Sequence, residues 1–244
     1  MSISFVNFSG GGQPAGPFTS ATTAAQSVAS GNSLVVGSRY PAASISDTAG
    51  NTYRPLGFTA WNFGGTNDGF QWYVCNNCVG KSNLQVTITL SGTGSDTYTA
   101  VGAWQFSGGP LVFDQMAIGQ SGSNSNTQSV VVNPHYVQGT ICLMTIVNAL
   151  TTFGVNAPLI QDGGTSIAGN SIAGAEHAIF SSGFTQQTLS TTSGSSAAWF
   201  IGGPVFQSTP QIPTLYKRRI QEAALFTGRE FDYFITLEKL WPLS

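Results

Sequence analysis

Three cysteines and two histidines occur in this chain, and their spacing decides what chemistry they could support. Cys75-Asn-Asn-Cys78 has the spacing of half a zinc site or of a local disulfide. A structural zinc ion needs four ligands, usually supplied as a second close pair. Only Cys142, His135 and His177 remain, each on a different segment, so no metal is assigned. Two readings of Cys75 and Cys78 stay open, a disulfide across the loop and a pair of free thiols. A thioredoxin-type centre is excluded, because no βαβ pattern surrounds the pair and no helix is placed to lower a thiolate pKa. Cys142 sits in the apolar run Ile141-Cys-Leu-Met-Thr-Ile-Val147 and reads as a small buried hydrophobe.

Nucleophilic catalysis would require a base beside an activated serine or cysteine. His135 follows Pro134 in a turn signal, and His177 opens a strand pattern beside Glu176; hydrogen-bonded turn and strand-end roles account for both. The acids before residue 208 are Asp47, Asp68, Asp96, Asp114, Asp162 and Glu176, and they form no glycosidase-type pair. Asp47 and Asp162 could lend oxygens to calcium, but no EF-hand spacing accompanies them. The expectation is therefore no enzyme and no cofactor. Trp61-Asn62-Phe63-Gly-Gly-Thr-Asn67-Asp68 combines aromatic faces with loop amides and a carboxylate, which makes Trp61, Asn62, Asn67 and Asp68 candidates for a sugar. The alternative is that Trp61 and Phe63 cap a sheet edge.

The elements that would position these residues are strands. Short β-branched and aromatic runs separated by Gly, Asn, Ser and Pro predict strands at 3–8, 33–37, 43–46, 52–56, 70–74, 84–90, 98–106, 129–132, 140–147, 177–180 and 197–206. Leu84-Gln-Val-Thr-Ile-Thr-Leu90 alternates as a half-buried antiparallel strand does. The run 141–147 is apolar on both faces, as in a central strand covered on each side or at a packed interface. Ala49-Gly50-Asn51 predicts a tight hairpin, and the stretches 121–126 and 163–171, rich in Gly, Ser and Asn, predict loops. Trp72, Trp104 and Trp199 lie inside strand patterns and are expected in or beside the core. Many strands at short spacing predict an all-β fold, a two-sheet antiparallel β-sandwich or jelly roll.

Composition divides the chain. Charged residues are 7% of the whole, and hydrophobic residues 41%, which excludes disorder. Residues 1–207 hold three bases against six acids, with no basic stripe for phosphates, so no nucleic-acid partner is expected. Residues 208–244 carry the other five bases, Lys217, Arg218, Arg219, Arg229 and Lys239. Ser208-Thr-Pro-Gln-Ile-Pro213 reads as a linker, 215–226 as a short amphipathic helix stopped by Gly228, and Phe231, Tyr233, Ile235 and Leu237 as alternate positions of a strand. The domains expected are thus a sandwich over 1–207 and an attachment tail over 208–244. That tail must bury its apolar positions and Trp241 against something. Strand addition to a partner, with Lys217, Arg218 and Arg219 at the junction, is one answer, and docking back on its own body is the other. No signal peptide and no stretch long enough to span a membrane is legible, so the expected product is made soluble and released.

The string Gln26-Ser-Val-Ala-Ser-Gly-Asn-Ser-Leu-Val-Val-Gly37, then Ser46-Asp-Thr-Ala-Gly-Asn-Thr-Tyr53, Trp72-Tyr73, the 84–90 strand, Ala103-Trp-Gln-Phe-Ser-Gly108 and Ala198-Trp-Phe200 together resemble a β-sandwich module of bacterial surface and phage structural proteins. The resemblance implies a lectin-like or jelly-roll sandwich used for display, adhesion or assembly, and carries no catalytic residues with it. Cys75-Asn-Asn-Cys78 departs from that pattern, and the tail lies outside it. The expected function is a non-enzymatic structural or decorating protein of a virion, phage capsid or tail, or a similar extracellular assembly. Its partners would be copies of itself and other virion or surface proteins. The alternative is a carbohydrate-binding adhesion or receptor-recognition module whose partner is a surface glycan.

Overall fold

The computed structural model describes residues 2–12, 18–60, 69–94, 100–133, 138–148, 152–167, 171–180 and 186–208. Along the chain these form β1 (Ser4–Gly12), β2 (Phe18–Thr22), β3 (Gln26–Val28), β4 (Ser33–Arg39), β5 (Ala42–Asp47), β6 (Arg54–Ala60), β7 (Gly69–Cys75) and β8 (Lys81–Leu84). They continue with β9 (Val86–Gly94), β10 (Ala100–Ser107), β11 (Leu111–Val132), β12 (Gly139–Val147), β13 (Phe153–Val155), β14 (Ile160–Ile167), β15 (Ser171–Phe180) and β16 (Gln187–Ser208). The described residues are all-β, every pairing is antiparallel, and no helix occurs among them. The helix and strand expected in 208–244 lie outside the described residues, apart from Ser208 itself, which ends β16.

Hydrogen bonding separates four sheets where the strand count alone suggested two. One has the order β1-β10-β4-β7-β6, and a second the order β11-β16-β12-β15-β14 with β13 also on β16. The small sheets are β2-β9-β5 and β3-β8. Side-chain alternation shows how they stack. Leu34 and Val36 of β4, Tyr73 and Cys75 of β7, and Val101 and Ala103 of β10 face a core shared with Ala21, Val28, Leu84, Val86 and Ile88 of the small sheets. Their neighbours Val35, Trp72, Val74, Trp104 and Phe106 face a second core, shared with Cys142, Met144 and Ile146 of β12 and with Phe200 and Phe206 of β16. The alternate residues Ile141, Leu143 and Val147 of β12, with Trp199, Ile201 and Val205 of β16, face a third. Three cores in series therefore lie between stacked β layers. This is why every residue of β4 and of β12 is buried, as the doubly apolar run at 141–147 implied.

The third core is closed by a strand that folds over itself. β11 and β16 pair as a long antiparallel ribbon of 22 residues per strand, from Leu111↔Ser208 to Val132↔Gln187, with register breaks between Ser121 and Ser125 and between Ser125 and Thr127. A bulge bends a ribbon, and here it returns Val130, Val132 and Leu189 over Ile141 and Leu143. Gly119 marks the fold: a Cβ there would stand 1.9 Å from the Ser129 carbonyl oxygen, so the two limbs of β11 touch backbone to backbone and only glycine fits. The predicted loop at 121–126 is thus bent strand. The hydroxyls of Ser121 and Ser125 accept from the amides of Ser123 and Thr127, both at 3.1 Å, and replace ladder bonds lost at the bend.

Other differences have equally local causes. Most of the predicted 163–171 loop is instead the end of β14 and the start of β15, a glycine-rich hairpin. The turn at 48–51 forms, with Gly50 at φ +77°, but it is not a hairpin, because β5 pairs with β9 and β6 with β7. It carries the chain from one sheet to another. The 84–90 strand is interrupted at Gln85, while Leu84, Val86, Ile88 and Leu90 point inward as expected.

Candidate functional site

Two polar clusters are built into these layers. The first lies where β1, β10, β14 and β15 meet. Asp162 is the extra residue of a bulge in β14, between the pairs Gln161↔Glu176 and Gly163↔Ala175, and a bulge re-aims its side chain. Its carboxylate accepts from Trp104 Nε1 at 2.8 Å and lies 2.7 Å from His177 Nδ1. Phe5 stacks on the His177 ring with centroids 3.9 Å apart. Trp104 and Phe5 belong to one large sheet, Asp162 and His177 to the other. The cluster is therefore a polar clasp across the second core. His177 is not the strand-end residue its sequence position suggested; it lies within β15, and its side chain and that of Asp162 are each only 3% exposed.

Cys142 is the direct cross-strand partner of His177, which places a thiol, an imidazole and a carboxylate in the order of a nucleophile, its base and the base's orienting group. The environment works against that use. Cys142 is fully buried, and burial first, then the Asp162 charge, pushes its thiol pKa well up, which favours the unreactive thiol. What the arrangement does well is satisfy a buried indole and imidazole with one carboxylate while locking two sheets together. Beside it, on the opposite face of β15, Glu176 is completely buried and burial raises its carboxyl pKa well above the ordinary value. Among the described residues it accepts one bond, from Thr145 Oγ1 at 3.3 Å, and its Oε1 has no partner, so the neutral acid is the form that suits this interior.

The second cluster surrounds the turn after β5. Asp47 accepts from the amides of Ala49 and Asn51 at 2.9 and 3.1 Å, from Asn51 Nδ2 at 2.8 Å and from the Tyr53 hydroxyl at 2.7 Å. Partial burial pushes the Asp47 pKa up, but the bonds from Tyr53, Asn51 and Ala49 outweigh it and hold the carboxylate below its usual range. Burial, then the Asp47 bond, drives the Tyr53 hydroxyl far above its ordinary value. Asn51 Oδ1 accepts from the Val79 amide at 2.6 Å, which ties the turn to the segment just after Cys78. Cys75 and Cys78 face the same first core as Tyr53. Both are free thiols, with the sulfurs 2.8 Å apart.

Of the residues singled out from sequence, Cys75 and Cys78 are thus brought together. Asp47 and Asp162, considered for calcium, are instead engaged by groups of the protein itself, Asp47 by four bonds and Asp162 by Trp104 and His177. Trp72, Trp104 and Trp199 are core residues. His135, the sugar candidates Trp61, Asn62, Asn67 and Asp68, and the tail residues Lys217, Arg218, Arg219, Phe231, Tyr233, Ile235, Leu237 and Trp241 lie outside the described residues. Sequence reasoning missed the pairing of Asp162 with His177 and Trp104. The Gly163-Gly164 pair directly after Asp162 was the available signal, since glycine inside a strand pattern marks a bulge. Among the described residues no group of three or more His, Cys, Asp and Glu side chains could hold a metal ion, and no helix is long and apolar enough to cross a membrane. No protein family, curated protein or solved structure matches the chain.

Proposed function

We propose that this chain is a non-enzymatic structural or decorating module of a virion or comparable extracellular assembly, a jelly-roll or lectin-like sandwich attached to a second copy or a neighbouring subunit by residues 208–244. The observation that carries this reading is where the chain puts its reactive groups. Cys142, His177, Asp162 and Glu176 are sealed between sheets, while exposed positions of β5, β8 and the β11 bend are largely Ser, Thr and Asn. A surface wetted by hydroxyls and amides with 7% charge in the whole chain suits a particle that must persist in water without salt-sensitive contacts. The stacked cores suit a rigid display scaffold, and the apolar alternation of Phe231, Tyr233, Ile235 and Leu237 supplies the attachment.

The test is the solution mass of the full chain beside that of a full-length Phe231→Asp, Ile235→Asp variant. An oligomeric wild type and a monomeric variant with the same β-type circular dichroism would agree with the proposal. A monomeric wild type would refute attachment to a second copy. Ala60 and Gly69 are paired at the ends of β6 and β7, and the chain between them holds the Trp61 to Asp68 sugar candidates. Binding of the full chain to a glycan array that Trp61→Ala abolishes would favour carbohydrate recognition instead.

A further inference from the structure

We propose that Cys75 and Cys78 are joined by a disulfide in the mature protein, closed as the chain folds. Atoms that only touch sit about 3.5–4 Å apart for carbon, and sulfur is larger, yet these two sulfurs stand 2.8 Å apart. The backbone brings them there independently of any sulfur bond. Cys75 ends β7, where it is held in register with Leu34 of β4. The Cys78 amide donates to the Asn32 carbonyl at 2.8 Å, and the Gly31 amide donates to the Cys78 carbonyl at 3.0 Å. Between them, Asn76 is fixed by its side chain, whose Oδ1 accepts from Ser33 Oγ and the Leu111 amide and whose Nδ2 donates to the Leu111 carbonyl, at 2.7, 2.9 and 3.0 Å. Asn77 takes the left-handed conformation, φ 54°, which a turn this tight requires and asparagine tolerates. A strand end at Cys75, a loop residue anchored at Cys78 and two fixed residues between them therefore aim both side chains at one point.

The third cysteine cannot compete. Cys142 faces the second core while Cys75 and Cys78 face the first, on the far side of the β10-β4-β7 sheet. Cys75 is 4% exposed and Cys78 1%, so the reaction belongs to the folding chain, before the turn is covered. The oxidant is a disulfide compound such as oxidised glutathione or a disulfide oxidoreductase. One cysteine thiolate attacks it to give a mixed disulfide and release one thiol. The second cysteine thiolate then displaces the other thiol. The two protein thiols lose their protons and one electron pair, and the oxidant's disulfide is reduced to two thiols. The proposal does not rest on the assembly function above: a monomeric chain could carry the bond, and an oligomeric one could lack it.

Reduced, denatured full-length protein is refolded in a buffer of oxidised and reduced glutathione, and its soluble β-structured fraction is denatured in iodoacetamide without reductant. Mass spectrometry then counts alkyl groups. Trypsin separates the candidates, because no cleavable Lys or Arg lies between Arg39 and Lys81, given that Pro55 follows Arg54, and none lies between Lys81 and Lys217. Peptide 40–81 thus holds Cys75 and Cys78, and peptide 82–217 holds Cys142. The expected result is one alkyl group, on Cys142, with peptide 40–81 lighter by the hydrogens lost and shifted by two alkyl groups only after reduction. Alkylation of Cys75 and Cys78 without reduction, glutathione retained on either, or a link between the two peptides would overturn the proposal.

Discussion

Replacing Asp162 with alanine is the sharpest test of how the two large sheets are held. The substitution removes the acceptor from Trp104 Nε1, 2.8 Å away, and from His177 Nδ1, 2.7 Å away. Trp104 and His177 are 0% and 2% exposed, so neither polar group gains water in exchange. Each orphaned donor costs about 1–3 kcal/mol, and two are orphaned together. We expect a loss of about 4 kcal/mol, which for a domain of this size lowers the thermal midpoint by roughly 8–16 °C. The assay is thermal and urea unfolding of the full chain at neutral pH, followed by tryptophan fluorescence, since Trp104 reports on the site itself. His177→Phe keeps the stack on Phe5 and closes a double-mutant cycle, for which we expect a coupling of at least about 1.5 kcal/mol. A loss below about 1 kcal/mol for Asp162→Ala, the value typical of a solvated pair, would show that water reaches the clasp and refute the reasoning.

Glu176 is buried with a raised pKa, so folding favours its protonated form. That stabilisation is complete below the ordinary carboxylate value near 4.5 and is lost as pH climbs toward the raised folded value. The stability of Glu176→Gln relative to wild type, measured by urea unfolding, is therefore expected to improve steadily from pH 4.5 to 8; a constant difference would contradict it. Gly119→Val places a Cβ 1.9 Å from the Ser129 carbonyl oxygen and is expected to cost about 3 kcal/mol or more through backbone displacement, read as a lower urea midpoint. Tyr53→Phe removes one of the four bonds to the Asp47 carboxylate. It should cost about 1 kcal/mol near neutral pH and move the Asp47 pKa upward in carboxyl NMR titrations, with the difference from wild type shrinking as pH falls through the acidic range and the carboxylate is protonated.

Much of the fold was legible because alternation is a local property. Leu84, Val86, Ile88 and Leu90 announce a buried face, and Ile141 to Val147 a strand covered on both, whatever the covering elements are. The same locality explains the misreadings. Ser121 to Asn126 has the composition of a loop because its hydroxyls can bond backbone amides, and they do so at 3.1 Å, but inside a bent strand. Ala49-Gly50-Asn51 has hairpin chemistry, and the turn it makes is real, with Asp47 capping two of its amides. A turn motif specifies a reversal of the chain and says nothing of which sheet receives it.

By itself, then, the sequence determined strand content, the inward face of each strong strand, the burial of Trp72, Trp104 and Trp199 and the closeness of Cys75 to Cys78, since each depends on residues a few positions apart. Tertiary structure alone decided that there are three cores, that β11 folds back at Gly119, and that Asp162 meets both His177, on the adjacent strand, and Trp104, on the opposite sheet. Those outcomes rest on contacts beyond the reach of a local pattern, from the 15 residues between Asp162 and His177 to the 58 between Trp104 and Asp162. Whether two such segments meet depends on the free energy of the whole packed chain, which no local pattern encodes.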